Sequence, residues 1–370
     1  MTISSHIAPA PETTSPGLEN TVAAETILSH VDGAAGRLIV RGYDLDQISS
    51  WSFEALLVLL WKDLAPGQVT EADVQSALGQ ARAAAFHLVE RLLPTIPHLS
   101  QVEALRFLLA ALADSQTVPH HVMAIAAVPV FAAAIARNAA GSAPVAPDAS
   151  LSHAEDFLFM LHGTRPSEEN VRALNTYLVT VADHGLNAST FAARVIASTK
   201  AGMFSSVIGA LCALKGPLHG GAPGPVLDML DAIGSEDNIN AWLSASLARG
   251  ERLMGFGHRI YRVRDPRADV LKQAVGLLRH GGGRIGFAEA VEAEALALLA
   301  EKKPLRPLQT NVEFYTALVL EAVGFPRESF TNVFAAGRMG GWTAHVLEQE
   351  RLGKLIRPQS RYVGPQPSQM

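Results

Sequence analysis

From Ser52 onward the chain is written in one hydrophobic period, and that period leaves room for little besides helices. Val74, Leu78, Ala81, Ala85, Leu88 and Leu92 recur at steps of three and four, which puts them on one helical face. Start and stop residues frame the run. Thr70-Glu71-Ala72-Asp73 has the shape of a capping box, with Asp where Glu or Gln is usual, and Pro94 and Pro97 close it. Ser100-Gln101-Val102-Glu103 opens the next helix, and Ser52 caps an earlier one that ends before Pro66. The same signals predict helices over 152–161, 167–182, 189–214, 226–233, 236–248, 266–278, 287–301, 312–323 and 339–351. The apolar run from Val122 to Ala136 is interrupted by Pro129 and reads as a buried helix pair, short of the roughly 20 residues that span a bilayer. Sheet signals are confined to the start: Val31-Asp32-Gly33-Ala34-Ala35-Gly36 lies between Thr21–His30 and Arg37–Arg41 and predicts one small β-hairpin. Residues 1 to about 18, rich in Ser, Thr and Pro, read as a loose arm.

The expected fold is therefore all-α with that hairpin attached. Gly216-Pro217 and Gly324-Phe325-Pro326 bracket shorter helices, so a smaller domain at 218–324 is expected inside a larger one formed by 1–217 and 325–370. Hydrophobic residues make up 48% and charged residues 18% of the chain, which excludes a disordered protein. A net charge of −5 argues against a broad nucleic-acid face, because such binding rests on neutralising phosphates. Cys212 is the only cysteine, so neither an intrachain disulfide nor an all-cysteine metal site can form. No Lys or Arg precedes Arg37, which removes the basic start of a signal or transit peptide, and a cytoplasmic, membrane-free protein is expected.

Chemistry-bearing residues gather in one short loop. Gly255-Phe256-Gly257-His258-Arg259-Ile260-Tyr261 runs on to Asp265-Pro266-Arg267 and combines glycines for close backbone approach, a histidine and several arginines. That mixture suits a small polyanion. His219 lies in Gly216-Pro217-Leu218-His219-Gly220-Gly221, which lacks the Gly-Lys-Ser/Thr ending of a phosphate loop. His184, in Asp183-His184-Gly185, is a binding candidate or a helix-end residue. His120-His121 and His153/His162 lack metal-ligand spacing and read as structural, and no Gly-x-Ser-x-Gly elbow occurs. Glu313 carries two readings of equal weight. Thr310-Asn311-Val312-Glu313 fits a capping box, yet a carboxylate at a helix start could also serve as a base. The helix dipole would favour its ionised form and so weaken it as a base.

Taken together, Asp183-His184-Gly185-Leu186-Asn187-Ala188-Ser189-Thr190, Lys215 through Ala222, Met254 through Tyr261, Asp265-Pro266-Arg267, Asn311-Val312-Glu313-Phe314-Tyr315 and Ala336-Gly337-Arg338 resemble the citrate synthase family, which includes the 2-methylcitrate synthases. The resemblance runs from Arg41-Gly42-Tyr43-Asp44 to Ile356-Arg357-Pro358. It implies a helical fold with two domains that close over the substrates, in a homodimer. It implies condensation of acetyl-CoA with oxaloacetate and hydrolysis of citryl-CoA, a step of the tricarboxylic acid cycle. The coenzyme A thioester is then a co-substrate, with no bound cofactor or metal. By position in the resemblance, Glu313 is the base, His219 stabilises the enolate, and His258 donates to the ketone of oxaloacetate. His184, Arg267 and Arg338 hold its carboxylates, with Arg357 reaching in from the other subunit. Arg259, Arg262 and Arg264 are left for CoA phosphates or the surface. One position departs from the family: its usual base is Asp, and this chain has Glu313. That departure keeps two alternatives in view, a 2-methylcitrate synthase using propionyl-CoA and a paralogue that binds CoA or a dicarboxylate with little turnover.

Overall fold

A computed structural model describes residues 17–18, 21–220, 223–258, 260–278, 284–302, 304 and 308–365. Strands β1 (Ser29–Asp32), β2 (Arg37–Val40) and β3 (Tyr43–Asp44) form one antiparallel sheet in that order, with Ser29 opposite Val40 and Asp32 opposite Arg37. The expected hairpin is present, its first strand confined to four residues and its sheet extended by β3. Helices follow: α1 (Leu45–Ile48), α2 (Phe53–Trp61), α3 (Glu71–Leu92), α4 (Gln101–Ala110), α5 (His120–Ala139), α6 (His153–His162), α7 (Glu168–Val181), α8 (Ala188–Ala197), α9 (Met203–Leu214), α10 (Pro223–Ile233), α11 (Ile239–Ala248), α12 (Pro266–Leu277), α13 (Ile285–Lys302), α14 (Val312–Ala322) and α15 (Phe330–Leu352).

The caps explain most of these boundaries. At Thr70/Asp73 and Ser100/Glu103 both reciprocal bonds of a capping box form, and Ser52, Ser152 and Ser167 each accept a first-turn N–H. Gly163 ends α6 in the left-handed region, where a side chain would be strained.

Three expectations need correction. The run around Pro129 is one helix, α5, rather than a pair. Pro129 deletes one ladder bond, but every residue from Val122 to Ala136 is buried against α3, α4, α6, α9 and α15, and that packing outweighs one missing bond. By length and apolarity α5 would suffice to cross a membrane, yet here it is the central core helix. Second, 189–214 is two helices, because Lys200 (φ 63°) and Gly202 (φ 87°) take left-handed conformations between α8 and α9. The small residues then serve the packing of α8 on α9: a Cβ at Gly209 would come within 2.1 Å of Ile196 Cδ1. Third, the last helix begins at Phe330, nine residues before the expected start, so Ala336-Gly337-Arg338 lies inside it.

That long α15 crosses α7 closely enough to matter for the site. Gly341 N donates to Ala182 O at 3.0 Å, and a Cβ at Gly341 would sit 2.3 Å from the same carbonyl. Backbone cannot move aside as a side-chain tip can. Gly341→Ala should therefore destabilise the fold by about 1–3 kcal/mol and lower the thermal midpoint, whereas Gly276→Ala, whose new methyl would meet nothing within 4 Å, should not.

Candidate active site

Two loops and two helix starts converge beside the α7–α15 crossing. The turn after α7 carries His184, and the segment leading into α12 carries His258, Tyr261, Asp265 and Arg267. The start of α14 carries Glu313, and α15 carries Arg338. A zipper joins the His258 loop to α14: Gly257 N donates to Gln309 O (2.7 Å), Asn311 N to Gly255 O (2.9 Å) and Asn311 Nδ2 to Gly257 O (2.8 Å). Gly255 and Gly257 have φ of 84° and 83°, and a Cβ at Gly255 would lie 2.8 Å from Phe314 Cβ. These glycines permit close approach of protein to protein, not only of ligand to backbone.

His258 is fixed in one tautomer. Its Nδ1 accepts from Ile260 N (3.0 Å) and Tyr261 N (3.1 Å), so the proton resides on Nε2. Arg267 Nη2 stands 3.4 Å from that Nε2, two donors face to face rather than a hydrogen bond. An acceptor reaching both would relieve this juxtaposition of donors. Burial and the Arg267 charge push the His258 pKa down to about 4, and burial with Arg338 does the same for His219. His184 is driven well below its ordinary value by burial, then by Arg267 and Arg338. At neutral pH all three are neutral imidazoles able to donate a hydrogen bond without carrying charge.

The arginines differ in their pairing. Asp265 grips Arg267 through Nε–Oδ1 (3.1 Å) and Nη2–Oδ2 (2.8 Å) while accepting the N–H groups of Arg267 and Val312, so one carboxylate ties α12 to α14. Arg338 is 2% exposed, donates Nε to Val181 O at 2.6 Å and lies over the Phe334 ring, with no ion pair among the described residues. Burial, then the charge of Arg267, pulls its pKa down to about 10, with Asp183 opposing. A buried, unneutralised guanidinium is a prepared anion site.

Glu313 is released from capping. Asn311 caps α14, accepting Glu313 N at 3.0 Å, and the Thr310 hydroxyl is spent on Glu292 at 2.6 Å. The Glu313 carboxyl makes no hydrogen bond among the described residues. Burial raises its pKa to about 7, against the pull of Arg267 and Arg252. The helix dipole was expected to hold it ionised; desolvation wins because nothing among the described residues donates to it.

His219 Nε2 sits 2.8 Å from Ser189 Oγ, which also accepts from Trp342 Nε1 (3.2 Å). Asn187 Oδ1 takes the N–H groups of Ser189 and Thr190 and also lies 2.7 Å from Ser189 Oγ, so the single Ser189 hydroxyl proton has two acceptors within reach, Asn187 Oδ1 and the His219 ring nitrogen. His184 Nε2 meets Tyr261 OH at 3.1 Å, and its ring lies 5.8 Å from that of His258. It caps no helix. Ser189, Tyr261 and Trp342 escaped the sequence reading because their roles depend on partners 30 to 153 residues away. Asp265, at the first position of Asp-Pro-Arg, was the one visible hint, since Asp before Pro is a helix-start signal.

Two of the arginine readings lie outside this cluster. Arg264 is no free cation: its guanidinium bonds Asp269 (2.5 Å), Glu292 (2.9 Å) and Thr310 (3.2 Å), bracing the loop from behind. Arg262 is exposed, and Arg259 lies outside the described residues. Arg357 is exposed on the segment after α15, which Ile356 N fastens to Ser198 Oγ at 3.1 Å, and is not brought to the cluster.

The family model described as citrate synthase, C-terminal domain, matches residues 17–359. A citrate synthase of Haloferax volcanii is 38% identical over 368 residues, 94% of this chain and 95% of that one. A 2-methylcitrate synthase of Mycobacterium tuberculosis is 36% identical over 365 residues, 94% and 90% of the two chains. Among solved structures, citrate synthase of Thermoplasma acidophilum in a ternary complex with carboxymethyl coenzyme A and oxaloacetate superposes with a TM-score of 0.85 at 28% identity, covering 97% of this chain and 98% of that one.

Proposed function

The chain belongs to the citrate synthase family and is an acyl-transferring enzyme of that type; from that premise we propose that it condenses acetyl-CoA with oxaloacetate and hydrolyses the citryl-CoA formed. The observation that carries the reading is Glu313, a desolvated carboxyl with no hydrogen-bond partner among the described residues and a pKa near 7, beside neutral histidines and buried arginines.

Each residue then has a derivable task. Ionised Glu313 takes a proton from the thioester methyl group. As negative charge moves to the thioester oxygen, His219 donates to it from Nδ1, which requires the Ser189 hydroxyl to turn its proton from Asn187 Oδ1 to His219 Nε2. The new carbon–carbon bond forms at the ketone carbon of oxaloacetate, whose oxygen receives the Nε2 hydrogen bond of His258 and then its proton. Arg338, Arg267 and His184 hold the two carboxylates, Arg338 supplying a charge that has no ion pair among the described residues. Glu313 is longer than the family's Asp by one methylene. The start of α14 must present it from farther back, and Asn311 as cap leaves the side chain free to do so.

Domain closure between 218–324 and the remainder, and a homodimer in which Arg357 completes the partner's site, belong to the same proposal. Support for the second comes from the exposed Arg357 on a tail fastened to α8. Mixed dimers of Arg357→Ala and Glu313→Ala chains should recover activity that neither variant has alone, because one site of the hybrid keeps both residues.

A second reading has a specific motive, since relatives of both names match at nearly equal identity. Thiol release should be measured with acetyl-CoA and propionyl-CoA, with and without oxaloacetate. The proposal expects the larger kcat/KM with acetyl-CoA. A strong propionyl preference would make the enzyme a 2-methylcitrate synthase. Tight oxaloacetate binding with no release from any short acyl-CoA would make it a binding paralogue.

A further inference from the structure

The β1–β2 hairpin touches both histidine loops, one at each end. At its root, Ser29 Oγ donates to Asp183 Oδ2 at 2.5 Å and accepts Gly185 N at 2.8 Å, so one hydroxyl grips the residues on either side of His184. Val31 packs beside Gly185 as well, its Cγ2 lying 3.5 Å from where a Gly185 Cβ would be. At its tip, Gly33 O accepts Arg262 N at 2.8 Å. There is no room for a side chain: a Cβ on Gly33 would sit 2.4 Å from Ile260 O, and one on Gly36 would sit 2.6 Å from Val263 Cγ2. Ile260 is the residue whose N–H binds His258 Nδ1. The tip therefore abuts the carbonyl of the Ile260–Tyr261 peptide, whose N–H also binds His258 Nδ1.

We propose that the β1–β2 hairpin is a spacer that sets the separation of the His184 turn and the His258 loop once 218–324 has closed onto the remainder, with Ser29 and Gly33 as positioning residues for the oxaloacetate site. The inference rests on the proposed function for its substrate, and on the contacts alone for its geometry.

Three features make the hairpin suited to this. It is short, so four strand steps of about 3.3 Å carry the constraint from Ser29 to Gly33 without a flexible joint. Its tip has a defined shape, because Asp32 Oδ1 accepts Ala34 N (3.0 Å) and Ala35 N (2.9 Å) within the turn. Its base is anchored by Leu38 and Val40, which are 1% and 4% exposed and join the core. Core-building does not account for the tip contact. Ile260 and Val263 remain 45% and 44% exposed against it, so little apolar area is removed from water there. What the contact supplies is position. His184, Tyr261 and His258 form a triangle of rings with centroids 4.8 to 5.8 Å apart, and the spacer ties the His184 corner to the loop that carries the other two from outside.

The test uses the full chain with Gly33→Ala, Ser29→Ala and Ser29→Thr, and Gly276→Ala as a glycine replaced where there is room. Gly33→Ala should speed amide hydrogen exchange in peptides covering His258 to Arg264 and leave α5 and α15 unchanged. Ser29→Ala should do the same for 183–187, and Ser29→Thr, which keeps the hydroxyl, should restore the slow exchange. In thiol-release assays, Gly33→Ala should raise the oxaloacetate KM about tenfold and the acyl-CoA KM less than about twofold, as a displacement of well under 1 Å would. Unchanged exchange and unchanged KM in a folded Gly33→Ala protein would overturn the proposal. So would a uniform rise in exchange with both KM values moving together, the mark of general destabilisation. If Gly33→Ala does not fold, the two Ser29 variants decide by the same criteria. Absence of thiol release by the wild type would count against the proposed function, while the exchange contrast would still decide the hairpin's part.

Discussion

Glu313→Gln should lower kcat for thiol release by about 10²–10⁴-fold, the usual contribution of a positioned base, with small changes in both KM values. Gln keeps the length and polarity of the side chain and removes only its ability to take a proton. The wild-type rate should rise with pH through a step near 7, because burial holds Glu313 protonated below that point. The variant should lose the step. Stability carries the opposite sign. A carboxyl whose folded pKa lies above its unfolded value of 4.5 binds its proton more tightly in the folded state. Its contribution to stability is full below pH 4.5 and is lost as pH rises through 7. Glu313→Gln should therefore leave the thermal midpoint unchanged near pH 4 and raise it at pH 8. An enzyme that gains stability by losing its base is what a desolvated catalytic carboxyl predicts. Equal midpoints at pH 8 would show that Glu313 is solvated.

The second large effect is expected at Arg338. Arg338→Met keeps the apolar contact with the Phe334 ring and removes the charge. Truncating one member of a buried charge pair costs 2–5 kcal/mol or more, so the oxaloacetate KM should rise by about 30-fold to several thousandfold. The free protein should respond differently. Its guanidinium is buried without an ion pair among the described residues, so exchanging it for an apolar chain should leave the midpoint level or raise it, less the bond to Val181 O. Oxaloacetate at about 100 times its Kd should stabilise the wild type by about 2.7 kcal/mol and the variant not at all. A variant that still gains stability from oxaloacetate would assign Arg338 to the fold.

How far the sequence could be read depended on the range of the interaction. Helix starts at Ser52, Thr70, Ser100, Ser152 and Ser167 were legible because a cap and its N–H lie within three residues of each other. Pro129 misled because its cost is local and its compensation is not: the packing that keeps α5 whole comes from five other helices. Thr310 misled in the same way. Its hydroxyl had a plausible partner three residues on, but Glu292, from the middle of α13, holds it instead. Glu292 also receives Arg264, Lys272 and Tyr315, and no spacing rule would assemble that knot.

By itself the sequence determined the helical class, the hairpin, the family and the candidate site residues, since periodicity, capping and short motifs are properties of neighbouring residues. Only the tertiary structure decided what those side chains are able to do. A pKa near 7 at Glu313, a single tautomer at His258, an unneutralised charge at Arg338 and the spacing of the His184 and His258 loops all depend on which atoms lie a few ångströms away. Those atoms come from all parts of the chain, and desolvation, the largest influence on each of the three histidines and on Glu313, exists only once the core has closed around them.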